Sequence, residues 1–230
     1  MRKFLLYLVI TVISIPVIAQ GSDKDIRLGI GASPSFSWLK SDYENVVNDG
    51  LKTGIKYGIN VDYRIVDNYF FSTGLFLSTQ SGKLKYSDPT IPFMIGDSLY
   101  YFNDDGSDDV SFSYKLKYLE IPLGMKLKTN EIGYFTYFAK FGINPMFNLS
   151  AVGNANQKSI EDEEINDEVN FFNLGYHFGG GLEYALSGNF ILTGGISYNQ
   201  GFFDVTSSTE GRVKEKTTLS NVSIDLGIFF

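Results

Sequence analysis

Apolar and polar residues alternate along most of this 230-residue chain, and such alternation is the pattern of β-strands whose two faces differ. The first alternating segment, residues 26–38, has apolar side chains on one face and Arg27, glycine and serine on the other. Similar segments follow at residues 55–65, 71–82, 114–127, 137–149, 173–184, 190–199 and 218–230. Each reaches the roughly 9–11 residues that a tilted strand needs to cross a bilayer, so the pattern predicts eight strands.

The segment at 114–127 contains a change of phase. Its apolar residues are even-numbered at Tyr114, Leu116 and Tyr118 but odd-numbered from Leu119 onward. A β-bulge inserts one extra residue into a strand, which would reconcile the two halves. We therefore expect a β-bulge near Tyr118.

The connections between the segments alternate in length. Short turns are expected at 66–68, 128–133 and 187–189, and long polar loops at 39–52, 87–112, 151–170 and 204–217. This asymmetry is typical of bacterial outer-membrane barrels. The predicted fold is all-β, an eight-stranded antiparallel up-and-down transmembrane β-barrel with short periplasmic turns and long extracellular loops. Because the number of strands is even, both termini are expected at the periplasmic end.

A soluble β-sandwich or a lipocalin-like barrel also alternates, with its apolar face pointing inward to a core. Two features favour the membrane barrel. Aromatic residues on the apolar face are candidates for interfacial girdles, namely Trp38, Tyr57, Tyr63, Tyr137, Phe147, Tyr184, Phe190 and Tyr198. The polar face is rich in the small residues that fit a narrow lumen, and it carries a predicted lumen charge network of Arg27, Lys56, Asp62, Arg64, Glu120, Lys126, Lys140, Glu183 and Asp225.

The near-balance of charge in this network predicts internal salt bridges that close a narrow barrel, because buried charges are tolerated when they are paired. A gated ion path is the alternative. For Glu120 we expect an inward side chain paired with a cation such as Lys56, Arg64, Lys126 or Lys140. Its neighbours Leu119 and Ile121 are expected to face lipid.

The N-terminal residues 1–19 predict a secretory signal peptide, followed by one barrel domain at 20–230. A basic start at Arg2 and Lys3 precedes an apolar run and the small-residue site Val17-Ile18-Ala19. A membrane anchor helix is the alternative, but the run is short for a span and contains Pro16.

Charge and cysteine content narrow the remaining classes. Beyond the signal peptide the chain has 17 basic against 26 acidic residues, a net charge of −9, which argues against nucleic acid as a partner. There is no cysteine, so disulfides are excluded.

The stretch YLEIPLGMKLK, residues 118–128, resembles a segment of the PorT-like outer-membrane β-barrel domain family. LGIGASPSFSW in the first strand, GGGLEY late in the chain and the terminal aromatic residue extend the resemblance over nearly the whole mature chain. The resemblance implies an outer-membrane barrel and a Gram-negative outer-membrane location. The family takes its name from a component of the type IX secretion system, so a protein of a secretion complex is a further expected partner.

The last strand resembles the C-terminal signal by which the outer-membrane assembly machinery recognises its clients. Its outward residues Ile224, Leu226, Ile228 and Phe230 are the expected assembly signal. Phe230 is expected at the periplasmic rim, with strand 218–230 paired to the first strand. Other expected contacts are outer-membrane lipid and lipopolysaccharide.

No catalytic, cofactor-binding or metal-ligating motif is recognised, and a non-catalytic structural or accessory role is the leading interpretation. A lipid-modifying barrel enzyme would have to use His177, the single histidine, which we expect to be a lumen residue. The acidic runs at 103–109 and 161–168 are expected to be solvated loops. Divalent cations that bridge these carboxylates to lipopolysaccharide are the alternative.

Overall fold

The computed structural model describes residues 25–87, 92–95, 98–101, 110–155, 160–186, 190–207 and 216–230. The predicted signal peptide, the acidic run at 103–109 and the expected turn at 187–189 lie outside these residues. Within them the chain forms a short 3-10 helix, Asn166–Glu168, and the strands β1 (Ile26–Ser41), β2 (Val46–Asn48), β3 (Lys52–Val66), β4 (Tyr69–Tyr86), β5 (Pro92–Ile95), β6 (Ser98–Tyr101), β7 (Val110–Glu120), β8 (Leu123–Lys128), β9 (Phe135–Ala155), β10 (Ile160–Glu164), β11 (Phe172–Ala185), β12 (Ile191–Gly201) and β13 (Thr217–Phe229). None of the helices in the described ranges is long and apolar enough to cross a membrane.

Eight antiparallel strand positions, which we call staves, form a closed ring; β7 and β8 together occupy one of them. Their order is β1, β3, β4, β7 with β8, β9, β11, β12 and β13. β13 pairs with β1 from Gly29 opposite Phe229 to Ser41 opposite Thr217, which closes the ring and leaves no open edge in the wall. The predicted eight-stranded up-and-down barrel is therefore confirmed.

The strand that contains Tyr118 has no β-bulge, so that prediction is wrong. β7 and β8 keep one register against β4, from Phe76 opposite Glu120 to Thr73 opposite Leu123, so they form one stave. The interruption at 121–122 contains Pro122, which has no backbone N–H for the ladder. The register shift lies in the partner strand β9, where Leu149 is the extra residue opposite the Lys117–Tyr118 step.

The long connections contain more structure than the sequence predicts. β7 and β9 extend into the expected loops, β4 continues to Tyr86 beyond its expected end at residue 82, and β2 and β10 add to the edges of this sheet. We call residues 79–86, 110–117 and 150–155, together with β2 and β10, the loop-end extension. The opposite end, with the short turns, is the turn end.

The two faces of the wall differ as the alternation predicts. Outward aliphatic and aromatic side chains such as Ile30, Ile59 and Phe178 are about half exposed, at 54%, 50% and 54%. Inward positions in the same strands carry serine, asparagine and charged residues, including Ser35, which is buried. An apolar exterior around a polar interior is the arrangement of a barrel in lipid.

An apolar cluster also lies on the inside, at the loop end. Leu116 and Tyr118 of β7 are buried there and pack with side chains from the neighbouring staves and connections. The other members are Leu39, Val46, Leu84, Tyr86, Phe112, Tyr114, Met146, Ala151, Ala155, Ile165, Val169, Val205 and Leu219. We call this cluster the apolar plug.

Candidate functional site

The charged side chains of the predicted network occupy inward strand positions, and the turn end holds the most deeply buried group. Lys126 Nζ lies 2.8 Å from Asp62 Oδ2 and 2.5 Å from Glu183 Oε1. Glu183 Oε2 also accepts a hydrogen bond from Lys128 Nζ at 2.7 Å and lies 3.9 Å from Arg27. Lys128 is not in the charge network predicted from the sequence, because the predicted strand ended at Leu127. Lys128 is two residues from Lys126 and therefore lies on the same face of the strand.

Aromatic rings pack against these cations. The ring of Phe70 lies beneath Lys128 at 4.3 Å and near Arg27 at 5.1 Å, measured to the ring centroid. Arg64 also faces Phe70, at 6.0 Å. Lys126 is flanked by the rings of Phe138 and Phe229 at 4.6 and 4.8 Å. Phe229, which breaks the alternation of the last strand, is therefore an inward residue that covers a buried lysine.

A second ion pair lies farther from the turn end. Lys140 Nζ is 2.6 Å from Asp225 Oδ2, and the two side chains keep 24% and 16% of their exposure. Lys56 faces the ring of Phe76 at 5.6 Å. This pair is less completely buried than the Lys126 cluster.

Glu120 is buried inside the barrel, but its expected cationic partner is wrong. Among the described residues its hydrogen bonds come from three neutral groups: Ser78 Oγ at 2.5 Å, Gln80 Nε2 at 2.7 Å and Asn144 Nδ2 at 2.9 Å. Lys126 and Lys140 are held by the carboxylates closer to the turn end. The alternation gives the side of the wall on which a residue lies, but not which inward residues meet across a tilted barrel.

The hydrogen bonds around Glu120 continue through Gln80 to Asn221 and Asn199 on the other side of the lumen. Asn221 Nδ2 donates to Gln80 Oε1 at 2.8 Å, and Asn199 Nδ2 donates to Asn221 Oδ1 at 2.9 Å. A cavity of about 10 Å³ beside Asn144 has room for roughly one water. Tyr118 and the rest of the apolar plug lie directly on the loop side of Glu120.

An open vestibule of about 250 Å³ lies at the turn end, below the charge cluster. Arg27, Phe70, Lys128 and Glu183 form its inner wall, and turn residues such as Asn130 form its rim. Its lining includes Arg27, Lys128 and Glu183 of the charge cluster and no residue of the apolar plug.

His177 points into the lumen, as expected. Its Nδ1 atom is buried without a hydrogen-bond partner, and its Nε2 lies so close to Gly124 that a side-chain carbon there would approach it to 3.0 Å. In the described ranges no group of three or more histidine, aspartate or glutamate side chains could hold a metal ion.

The acidic run at 161–168 is not simply a solvated loop. It contains the end of β10 and the 3-10 helix, and its Ile165 is part of the apolar plug. Glu163 and Glu164 are exposed, whereas Glu168 is buried. The hydrophobic anchor at Ile165 explains why this polar sequence folds onto β9.

The residues proposed as an assembly signal lie on the outer face of the closing strand. Ile224, Leu226 and Phe230 are 46%, 55% and 50% exposed, and Ile228 is partly exposed. The backbone N–H of Phe230 donates to the carbonyl of Leu28 at 2.9 Å, at the turn end of the barrel.

Aromatic side chains are grouped near both ends of the outer face. At the turn end, the ring of Tyr184 lies 5.0 Å from that of Phe135 and 6.1 Å from that of Tyr134. At the loop end, Trp38 and Tyr198 are 6.2 Å apart. Of the predicted girdle residues, Tyr57, Tyr63, Tyr137 and Phe190 are also about half exposed.

A closed eight-stave ring with an apolar exterior and a polar, ion-paired interior defines a small outer-membrane-type β-barrel. The family model described as outer membrane protein beta-barrel domain matches residues 18–207. The chain belongs to this family.

Solved structures of similar architecture include Ail, the attachment invasion locus protein of Yersinia pestis, at 13% identity and a TM-score of 0.38, covering 89% of this chain and 97% of Ail. Neisserial surface protein A is similar at 13% identity and a TM-score of 0.43, covering 88% and 97%. OprG of Pseudomonas aeruginosa is similar at 12% identity and a TM-score of 0.44, covering 89% and 93%. A search of curated proteins found no match.

Proposed function

We propose that this chain is a non-catalytic integral protein of the Gram-negative outer membrane, exported by a signal peptide at residues 1–19, whose sealed barrel is a scaffold for surface-exposed loops. The observation that carries this proposal is the double closure of the lumen. The Lys126 ion cluster fills it at the turn end, and the apolar plug around Leu116 fills it at the loop end. A lumen closed in this way favours a structural role over a gated ion path.

The absence of cysteine allows a direct test of orientation. Glu44→Cys places a thiol at the loop end, and Glu131→Cys places one at the turn end; both glutamates are exposed. A membrane-impermeant maleimide should label Glu44→Cys on intact cells, and Glu131→Cys only after the envelope is broken. The reverse labelling would contradict the proposed orientation. Purified wild-type protein in a planar bilayer should show no steady conductance, and a stable open channel would favour the ion path.

A role in type IX protein secretion is the first alternative, and its support is the PorT-like resemblance of residues 118–128. Deletion of the gene, followed by analysis of secreted proteins, separates the two roles. Loss of secreted cargo favours the secretion role. Normal secretion with an altered envelope favours the scaffold.

A lipid-modifying enzyme that uses His177 is less well supported, because the imidazole lies in the lumen rather than on the lipid-facing surface. The close approach of its Nε2 atom to Gly124 leaves little room for a substrate beside the ring. If His177→Ala abolished a lipid modification that the wild-type protein performs, while the barrel still folded, the non-catalytic proposal would be wrong.

A further inference from the structure

The outer surface of the loop-end extension carries four lysines on two neighbouring strands, in a chain whose formal net charge is −7. They are Lys83 and Lys85 of β4 and Lys115 and Lys117 of β7, and we call them the lysine patch. Lys115 and Lys117 are exposed and point away from the plug, because the residues that alternate with them, Tyr114, Leu116 and Tyr118, are buried.

The patch begins where the apolar exterior ends. In the row below it, Leu77 pairs with Leu119, and Leu119 pairs with Phe147. In the next outward row, Lys117 stands between Thr79 and Ser150. The surface therefore changes from aliphatic to cationic within a single step along β7.

Hydroxyl groups surround the exposed lysines. Lys115 is opposite Ser81, and Lys117 is opposite Thr79 and Ser150. Lys115 and Lys117 are two residues apart on one face, which places their Cα atoms about 7 Å apart. Two ammonium groups among hydroxyl donors form a surface that suits a phosphate group bearing two charges.

The acidic residues described near the patch leave the Lys115–Lys117 pair exposed. Asp49 Oδ2 is held by Lys83 Nζ at 2.6 Å and by Ser111 Oγ at 2.6 Å. Glu164 is opposite Val152, and Val152 is opposite Lys115. The Cα atoms of Glu164 and Lys115 are therefore two strand spacings apart, about 10 Å.

From this geometry we infer that the lysine patch binds the phosphate groups of a phosphorylated glycolipid in the outer leaflet, with the acyl chains lying against Leu77, Leu119 and Leu149. Leu77 and Leu149 are 42% and 41% exposed, directly below the patch. The inference rests on the proposed outer-membrane location, since it requires a lipid of that leaflet beside β4 and β7. Charge complementarity selects an anionic lipid, and the adjoining apolar row selects an amphiphile over a free phosphate or an acidic protein.

The test uses the purified full chain in detergent, with bound lipid counted by native mass spectrometry. The probes are diphosphorylated lipid A, the same lipid with both phosphates removed, and phosphatidylglycerol. Each lysine near an anionic surface contributes a factor of about five in binding, so Lys115→Gln with Lys117→Gln should weaken lipid A binding roughly 25-fold. Lys115→Arg with Lys117→Arg should retain it, because the charge remains.

Lys40→Gln with Lys216→Gln is the matched control, since both lysines are exposed at the loop end of β1 and β13, away from the patch. Equal loss in this control would overturn the site in favour of general charge attraction. Equal binding of dephosphorylated lipid A would overturn phosphate recognition, and equal or stronger binding of phosphatidylglycerol would overturn the glycolipid as the ligand.

Failure of the proposed function is distinguishable from failure of this inference. A chain that does not show heat-dependent electrophoretic mobility, or does not insert into phosphatidylcholine vesicles, would contradict the membrane barrel itself. A chain that inserts normally but shows no preference for lipid A would overturn the lipid site alone.

Discussion

Lys126 is the most demanding test of the closed lumen, because one ammonium group serves two buried carboxylates. We expect Lys126→Met to destabilise the barrel by roughly 3–5 kcal/mol, the usual cost of removing one partner from a buried ion pair. Asp62 would keep a hydrogen bond from Ser72 at 2.7 Å, and Glu183 would keep Lys128 at 2.7 Å. These remaining contacts place the expected loss toward the lower end of that range.

A double substitution separates the lost ion pair from lost packing. Asp62→Asn added to Lys126→Met removes the carboxylate that the first change leaves without its cation. The double variant should therefore lose about 1–3 kcal/mol less than the sum of the losses of Lys126→Met and Asp62→Asn measured singly, which is the coupling between the two sites. If the two losses were instead additive, the charge of Asp62 would not be the reason for the cost.

Unfolding by urea in detergent micelles is the assay, with heat-dependent mobility as a second probe of the closed barrel. The single tryptophan, Trp38, lies on the outer face and reports unfolding without an added label. Lys140→Met is the matched control, and should cost only about 1–2 kcal/mol, because its pair with Asp225 is partly exposed. Equal costs for the two lysines, or a cost below about 1 kcal/mol for Lys126→Met, would refute the assignment of the cluster as the closure of the turn end.

Three further changes test other parts of the molecule. Glu120→Leu should cost roughly 3 kcal/mol in the same unfolding assay and Glu120→Gln less, because leucine leaves three buried donors without an acceptor; a tolerated leucine would mean that the donors find water. Phe230→Asp should reduce insertion in cells while refolding in detergent stays nearly normal, and equal loss in both would mean that the ring only packs. The hydrogen bond from Lys83, followed by that from Ser111, holds the pKa of Asp49 below its ordinary 3.8. A carboxyl whose pKa is lower in the folded than in the unfolded protein stabilises the fold above the unfolded pKa, and this stabilisation is lost as the pH falls. The stability advantage of wild type over Asp49→Asn should therefore be constant near neutrality and shrink below about pH 4. An advantage that grew on acidification would contradict this.

Much of the fold could be predicted from the sequence, because each stave separates a lipid-facing and a lumen-facing side over many residues. Phe229 shows a feature that the alternation along the chain does not explain without the three-dimensional structure. Its single break in the alternation is a real inward position, since the ring covers Lys126. No spacing rule along the chain specifies that contact, which forms between β13 and β8 across the lumen.

The partners of inward residues could not be predicted for a related reason. Glu120 and Lys126 lie on the same stave and the same side of the wall, yet they belong to different layers of the lumen. Strand tilt and register determine which side chains share a layer. Alternation contains neither quantity, so the network was predicted as a set of charges and not as pairs.

The change of phase near Tyr118 has a different physical origin from the bulge that the sequence suggests. On the inner face the stave passes from Tyr118, buried in the apolar plug, to Glu120, buried among polar groups. On the outer face it passes from exposed Lys117 to Leu119 in the apolar row. Both faces exchange polarity at the same step.

This exchange is expected where a sheet leaves lipid for water. In hydrocarbon the outer side chains must be apolar, so the charged and amide groups of the stave are inside, as at Glu120. In water the hydrophobic effect reverses the preference, and apolar side chains such as Leu116 are buried while Lys115 is solvated. A strand that kept its phase through both environments would produce the apparent slip seen at Tyr118 to Leu119. The boundary of the membrane on this stave therefore lies between Lys117 and Leu119, which is also where a phosphate at the lysine patch would meet acyl chains below it.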